Sequence, residues 1–135
     1  MTSGAVEDEQ ELGTELISTP EWLSLSTRQH NAIFEGPEHA TESLLLLLQP
    51  SLRTPAIWKR APEPLELPGE EGGALVLRNV GALGRHGQAA LSRWLEANLK
   101  QVVATTVDPL FPLVVRGLFD EALYYRLNTM LMRIS

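Results

Sequence analysis

The chain has 135 residues, a formal net charge of −6 and no cysteine, and 44% of its residues are hydrophobic. This length and hydrophobic content fit one domain with a single core. Without cysteine there is no disulfide, thiolate nucleophile or soft-metal site, and His30, His39 and His86 lack ligand spacing, so we predict no metal and no cofactor.

Charge and hydropathy also limit the partners and the location of the protein. An acidic balance without a basic stripe argues against nucleic acid as a partner. No run reaches the roughly 18 apolar residues of a membrane span. The N-terminus also lacks the basic and apolar regions of a secretory signal. We therefore expect a cytoplasmic protein without membrane contact.

The N-terminal segment is strongly acidic. Its first fifteen positions hold five acidic residues and no base, namely Glu7, Asp8, Glu9, Glu11 and Glu15. The rest of the chain is close to neutral, with 12 acidic and 11 basic residues. We predict an acidic, flexible tail over residues 1–18 and a folded domain over residues 19–135.

In the first half of the domain, the apolar pattern predicts a core strand over 32–35, a helix over 41–49 ended by Pro50, and a short strand over 57–59. Residues 44–48 are all leucine. Either one or two of them are exposed, or the helix is buried on most sides. A linker rich in proline and glycine follows over 61–73.

The second half begins with an apolar run over 74–80 that predicts a buried parallel strand. A helix over 88–99 follows, with an apolar side made by Ala89, Leu91, Trp94, Leu95 and Leu99. We then expect a buried strand over 101–106, short helices over 109–116 and 120–128, and a last strand over 130–134. Strands that alternate with helices predict an α/β fold with a parallel sheet and right-handed crossovers.

One segment carries a family resemblance. Residues 118–128, L-F-D-E-A-L-Y-Y-R-L-N, resemble the F-R-E-D-L-Y-Y-R-L-N signature of the ATPase domain in bacterial sigma-54-dependent transcription activators. In the same order as in that family, residues 72–83 resemble its Walker B strand, 88–96 the following helix and 103–110 the sensor strand. The resemblance implies a three-layer, P-loop NTPase-like (AAA+) parallel sheet flanked by helices, truncated and without the lid domain.

The phosphate loop of the family is degenerate in this chain. Residues 36–43, G-P-E-H-A-T-E-S, stand where the G-x-x-x-x-G-K-[ST] pattern belongs. Gly36 and Ser43 match that pattern, but Thr41 replaces the second glycine and Glu42 replaces the lysine. A phosphate loop depends on backbone N–H groups that wrap the phosphates and on a lysine that neutralises them. We therefore expect no nucleotide site of the usual kind.

The hydrolytic residues are also replaced. Arg78 and Asn79 stand where Walker B has an aspartate that holds magnesium and a glutamate that polarises water. Thr106 stands at the sensor asparagine. Of the two arginines that family members point into a neighbour's nucleotide, the first is Asp120 and the second is retained as Arg126. We predict an ATPase fold that is not an enzyme.

Two protrusions that engage the sigma factor and promoter DNA in the family have no counterpart here. Only sixteen residues separate Pro55 from Gly72, and none of them reads as a G-A-F-T-G-A loop. Residues 95–102 join helix to strand directly, where the family inserts a hairpin. The chain is therefore not expected to remodel polymerase by the family's mechanism.

The remaining candidates concern a protein partner. We predict an interface that includes Tyr124, Tyr125, Arg126 and Trp94. Adjacent helical tyrosines point about 100 degrees apart, so one is buried and the other is free for a partner. Trp94 is either a core residue or an interface anchor. Arg126 either reaches a neighbouring subunit or is held by a local carboxylate such as Glu121.

Three functions follow from these features. The first is a non-catalytic regulator, a pseudo-ATPase that binds a sigma-54 activator and antagonises it. The second is an adaptor or scaffold in an unrelated bacterial assembly. The third is a residual binder of ATP or a cyclic dinucleotide, which Glu42, Arg78 and Asn79 disfavour. A domain without its lid also exposes apolar surface that homodimerisation would cover.

Overall fold

Five parallel strands form the centre of the molecule, in the order β2-β3-β4-β1-β5. In chain order the strands are β1 (Ala32–Glu35), β2 (Ala56–Arg60), β3 (Ala74–Arg78), β4 (Gln101–Thr106) and β5 (Met130–Arg133). The structure, a computed structural model, describes residues 19–62, 66–69, 72–98 and 100–134. The predicted acidic tail over 1–18 lies outside these residues. The predicted α/β class with a parallel sheet is confirmed.

Among the described residues, five α-helices flank the sheet: α1 (Pro20–Arg28), α2 (Glu38–Leu48), α3 (Arg85–Ala97), α4 (Phe111–Val115) and α5 (Glu121–Leu127). Short 3-10 turns cover Gln49–Ser51 and Val80–Ala82. The Thr19 hydroxyl caps α1 by accepting a hydrogen bond from the Trp22 amide at 3.2 Å, and the Asp120 carboxylate caps α5 in the same way. Within the described ranges, no helix has both the length and the apolar character needed to cross a membrane.

The core has two halves, one on each face of the sheet. Helices α1 and α2 cover one face, where Trp22, Leu25 and Leu45 pack with Phe34. Helices α3 and α5 cover the other face, and their buried hydrophobic side chains are Leu91, Trp94, Leu123, Tyr124 and Leu127. The strands β1, β3 and β4 are buried almost throughout, as expected for a parallel sheet between two helical layers. The predicted three-layer arrangement is therefore present.

Several element boundaries differ from the sequence prediction by one to three residues, and two of them border the candidate site. Helix α2 begins at Glu38, three residues before the predicted start. Strand β3 ends at Arg78 instead of residue 80, because Asn79 takes a left-handed conformation with φ 61° that breaks the strand. Both differences lie at the same edge of the sheet, beside the candidate site.

The polar and apolar sides of α3 also differ from the prediction in part. Leu91 and Trp94 are buried as expected, but Ala89 is exposed and Gln88 is buried in its place. The Gln88 amide donates to the Leu83 carbonyl at 2.8 Å and to the Leu118 carbonyl at 3.0 Å. It is buried because these hydrogen bonds satisfy its polar atoms. In the leucine run of α2, Leu46 and Leu47 are 64% and 47% exposed, so the prediction that one or two would be exposed is confirmed.

Gly36 contacts the ends of the two strands that neighbour β1, namely β4 and β5, directly after the end of β1. Its amide donates to the Thr106 carbonyl at 3.0 Å, and its φ is 155°. A Cβ at this position would lie 2.3 Å from the Ile134 carbonyl oxygen. The glycine is therefore required by the packing of β1 against the end of β5, independently of any phosphate site.

We predict that Gly36→Ala lowers the free energy of unfolding by about 2–4 kcal/mol, because the new methyl group clashes with backbone and the φ is unfavourable. The measurement is urea denaturation of both proteins followed by circular dichroism. Gly84→Ala is the control, since nothing lies within 4 Å of a Cβ built there. Its expected loss is below about 1 kcal/mol. Equal losses for the two variants would contradict the packing role of Gly36.

Candidate functional site at the carboxyl ends of the strands

The candidate site lies where the sheet topology opens a crevice. From β1 the chain crosses to β2, β3 and β4 on one side, and it returns to β5 on the other side of β1. Crevices at the carboxyl ends of parallel strands, at such a reversal, are the usual ligand sites of α/β sheets. A cleft of about 220 Å³ occupies this position. Its lining residues are Glu38, Thr41, Arg60, Asn79, Thr105, Thr106 and Val107.

The segment that stands at the phosphate loop is helical here. Only Gly36 and Pro37 separate β1 from α2. The amides of Ala40 and Thr41 both donate to the Pro37 carbonyl at 3.0 Å. Two backbone N–H groups of the kind that wrap phosphates in a phosphate loop are thus used inside the first turn of the helix. The fold of this segment, as well as its side chains, differs from a phosphate cradle.

The hydroxyl groups of this segment are also used within α2. Thr41 is buried, and its hydroxyl donates to the Glu38 carbonyl at 3.0 Å. The Ser43 hydroxyl donates to the His39 carbonyl at 2.9 Å, and Ser43 does not line the cleft. Gly36 does not line it either. Of the four predicted phosphate-loop positions, only Thr41 borders the cleft directly.

Glu42 and Arg78, which stand at the lysine and aspartate positions of the family, bind each other. The Glu42 carboxylate lies 3.2 Å from an Arg78 guanidinium nitrogen, and both side chains are 30% exposed. The Arg78 guanidinium also lies 5.8 Å from the centre of the Trp58 ring, within cation–π range. The sign of the charge is reversed at both positions relative to the family pattern, so the two side chains still attract each other without a ligand.

Two further charges complete this group. Arg60 and Arg78 are register partners on β2 and β3, an arrangement in which like charges repel. Glu38 and Glu42 offset that repulsion, since Arg60 lies 2.5 Å from the Glu38 carboxylate and 3.7 Å from that of Glu42. These four residues, hereafter the charge cluster, have no net charge. They connect α2 to the ends of two strands.

The remaining predicted polar residues are held by hydrogen bonds within the protein. The Asn79 amide N–H donates to the Thr105 hydroxyl at 3.3 Å, and its side-chain amide donates to the Ala61 carbonyl at 3.1 Å. The Thr106 hydroxyl donates to the Asp108 carbonyl at 2.7 Å. The structure therefore brings Thr41, Asn79 and Thr106 to one cleft, with the Glu42–Arg78 pair beside it.

Sequence reasoning missed Glu38, Arg60 and Thr105. Arg60 is the last residue of β2, and Thr105 lies one residue before the end of β4. Since the carboxyl ends of parallel strands share an edge, the strand ends were the signal that could have placed both residues there. Glu38 carried no such signal, because the helix was expected to begin after it.

The predicted partner interface is only partly at the surface. Trp94 is buried, and its indole N–H donates to the Pro68 carbonyl at 2.8 Å. Tyr124 is buried too, and its hydroxyl accepts from the Asn128 side chain. The burial of both residues agrees with the core alternative, because each fills the core and has its polar atom satisfied there. Tyr125 is 58% exposed, as expected for the second of two adjacent tyrosines.

Arg126 has a different carboxylate partner from the one predicted. Its guanidinium lies 3.4 Å from Glu96 of α3, whereas Glu121 is on its own helix. The two side chains are 42% and 59% exposed. Such an exposed pair contributes little to stability. Arg126 thus remains accessible at the surface.

Comparison with known proteins agrees with this architecture. Residues 41–135 match the model of the sigma-54 interaction domain family, and the chain belongs to this family. No curated protein matches the chain.

Solved structures show the same fold. The crystal structure of NtrX from Brucella abortus in complex with ATP is similar to this chain, with a TM-score of 0.67 and 19% identity over 100% of this chain and 36% of that one. NtrX in complex with ADP gives a TM-score of 0.66 and 16% identity, over 99% of this chain and 36% of that one. The AAA+-type fold is therefore confirmed, and the chain spans about 36% of the length of these solved chains.

We predict a coupling free energy of about 1 kcal/mol between Glu42 and Arg78, in a double-mutant cycle of Glu42→Ala, Arg78→Ala and the double variant. The value is moderate because both side chains keep some solvent contact and because Arg60 remains 3.7 Å from Glu42. Urea unfolding of the four proteins measures it.

The matched control is the exposed Glu96–Arg126 pair, for which screening should leave a coupling below about 0.5 kcal/mol. A Glu42–Arg78 coupling no larger than that of the control would show that the charge cluster does not hold α2 to the sheet.

Proposed function

We propose that the chain is a non-catalytic regulatory protein, a pseudo-ATPase that acts in the bacterial cytoplasm by binding another protein. Its simplest role is that of an antagonist of a sigma-54-dependent activator. The observation that carries this proposal is the Glu42–Arg78 ion pair, which sits where the family holds the phosphates and the metal.

Electrostatics favour this proposal over nucleotide binding. A carboxylate at contact with a phosphate oxygen is repelled by about 4 kcal/mol per unit charge at an effective dielectric constant of 20. Arg60 and Arg78 offer positive charge nearby, but Glu38 and Glu42 already neutralise it. A phosphate would have to displace both carboxylates and then remain beside them.

Magnesium would meet a similar obstacle. The metal prefers carboxylate oxygens in an octahedral arrangement. Arg78 and Asn79 stand at the strand end where such ligands would be needed, and the Asn79 side chain is already bound to the Ala61 carbonyl. Hydrolysis by the family's route would therefore lack both its metal and the carboxylate that polarises water.

We predict that the purified chain binds ATP with magnesium more weakly than about 1 mM, and that isothermal titration gives no saturable heat. The variant Glu42→Lys with Arg78→Asp restores the family's charges at these two positions and is designed to leave residues 38–42 helical. It should also fail to bind, because the Thr41 amide still donates to the Pro37 carbonyl.

One result would contradict the pseudo-ATPase proposal, and another would contradict the explanation that the helical backbone prevents nucleotide binding. Micromolar binding of ATP or a cyclic dinucleotide at this cleft by the unaltered chain would overturn it. Binding by the charge-restored variant alone would show that the side chains, and not the helical backbone, are the limiting feature. Circular dichroism of both proteins verifies that each is folded.

An exposed apolar surface supports action through a protein partner. Four large apolar side chains on α4, α5 and the turn between them are 45–72% exposed, and we call them the partner surface: Phe111, Val115, Leu118 and Tyr125. Ring contacts of 5.9 Å and 5.3 Å through Tyr124 connect Phe111 to Tyr125. Clustered exposed apolar residues of this kind commonly mark protein-binding sites.

Arg126 adds a charge beside this surface. Because its pair with Glu96 is exposed and weak, the guanidinium can exchange that carboxylate for an anionic group of a partner at small cost. An antagonist of a ring-forming activator requires two features on different elements. One is an accessible arginine, and the other is a phosphate site that does not bind nucleotide. The face that carries the arginine would bind a subunit of the activator. The face that carries the degenerate phosphate loop would provide no functional nucleotide site to the ring.

We predict that Tyr125→Ala and Arg126→Ala each reduce capture of a sigma-54 activator at least about fivefold, since aromatic and arginine side chains dominate interface energies. The measurement is affinity capture with the purified activator, followed by its ATPase rate in the presence of the chain. Leu46→Ala is the control, because Leu46 is equally exposed but lies on α2. Unchanged capture by both test variants would count against the antagonist role.

A second exposed apolar surface supports the alternative function, that of an adaptor. Leu23, Leu46 and Leu47 are 47–64% exposed on α1 and α2, which cover the opposite face of the sheet from α5. A scaffold would use two such surfaces for two proteins. If Leu46→Ser with Leu47→Ser loses one captured protein and Tyr125→Ala loses another, the scaffold function replaces the antagonist function.

A further inference from the structure

A second depression lies at the opposite edge of the sheet from the charge cluster. Its volume is about 410 Å³. Its lining includes Asn31, Lys100 and Thr129, which directly precede β1, β4 and β5, so it sits at the amino ends of these strands. Five basic side chains border it, and they define the basic depression: Arg28, His30, Arg53, Lys100 and Arg126.

The depression concentrates positive charge in an acidic protein. Four of the 11 lysine and arginine residues of the chain line it, while the formal net charge is −6. No described aspartate or glutamate is among its lining residues. Glu96, which pairs with Arg126 from outside, is 59% exposed. At the other edge of the sheet, by contrast, two arginines meet two glutamates.

Neutral groups orient some of these cations. The Lys100 ammonium donates to the Gly69 carbonyl, and the Arg53 Nε–H donates to the Gln29 side-chain oxygen at 3.2 Å. The carbonyl contact restricts the Lys100 side chain without cancelling its charge. Like charges gathered in this way repel one another, and a bound anion relieves that repulsion.

The four cations converge from separate parts of the chain. Arg28 ends α1, Arg53 precedes β2, Lys100 precedes β4 and Arg126 belongs to α5. They therefore do not form a solvated charged face of a single helix. Their grouping is a property of the tertiary fold, as in a ligand site where several segments each contribute one side chain.

The shape and chemistry of the depression indicate the class of ligand. Its volume is within the range of about 300–1,000 Å³ typical of small-molecule sites. Leu95 is the one large apolar residue among its described lining residues, so the ligand must be polar. Guanidinium groups bind phosphate oxygens through paired hydrogen bonds. Nucleic acid would require a longer basic stripe than this local recess provides.

We infer that the basic depression binds a small phosphorylated molecule that carries at least two negative charges. This inference goes beyond the proposed function, because it concerns a ligand of the chain itself at a site remote from the degenerate phosphate loop. Arg28 and Lys100 contribute positive charges to the depression, and neither residue has a role in the proposed binding of a protein partner.

Inorganic pyrophosphate, titrated calorimetrically into the full chain at low ionic strength without magnesium, is the test. Saturable binding is expected, and Arg28→Ala with Lys100→Ala should weaken it at least about tenfold through loss of two charge-assisted contacts. The matched control is Arg85→Ala with Arg93→Ala, which removes the same charge from exposed positions on α3 outside the depression. It should change the affinity less than about twofold, as screened distant charges do.

Amide chemical shifts of the labelled chain provide a second readout that does not depend on the variants. Pyrophosphate should move the signals of residues 28–31 and Lys100, while those of Thr41 and Asn79 stay in place. The inference is overturned if the unaltered chain shows no saturable binding, if both double variants weaken binding equally, or if the shifts map to the cleft at the carboxyl ends of the strands.

Discussion

The ion pair between Glu42 and Arg78 is the constraint on which the candidate site depends. It joins α2 to the end of β3, and through Glu38 and Arg60 it extends to β2. A parallel sheet leaves a crevice at this edge, and polar groups there need partners of opposite charge. In this chain the partners come from the protein itself, because two glutamates and two arginines pair with one another there.

Charge is distributed differently at the two edges of the sheet. Arginine meets glutamate at the carboxyl ends of the strands, and no described carboxylate lines the basic depression at the amino ends. The same fold therefore pairs arginine with glutamate at one edge of the sheet and gathers basic side chains at the other. The partner surface on α4 and α5 is a third, apolar feature. These three features lie on different parts of the fold, so a substitution at one of them can be tested without changing the other two.

Much of the fold was predictable because local patterns encode it. Strand β1 and strand β4 were placed with their observed bounds, since unbroken apolar runs between turn residues indicate buried parallel strands. The misplaced end of β3 came from Asn79, whose left-handed backbone no apolar pattern reveals. The burial of Gln88 was missed for a related reason. A polar side chain enters a core only when distant carbonyls satisfy it, and those carbonyls are known from the fold alone.

The sequence by itself determined the alternation of strands and helices and the identity of the residues at the phosphate-loop and Walker B positions. Both are local properties, readable from neighbouring residues. Only the tertiary structure decided that Glu42 meets Arg78, that Trp94 is buried, and that four cations from separate segments share one depression. These contacts join residues far apart along the chain, and their distances are set by how the strands pair and how the helices pack on them. No local pattern contains that information.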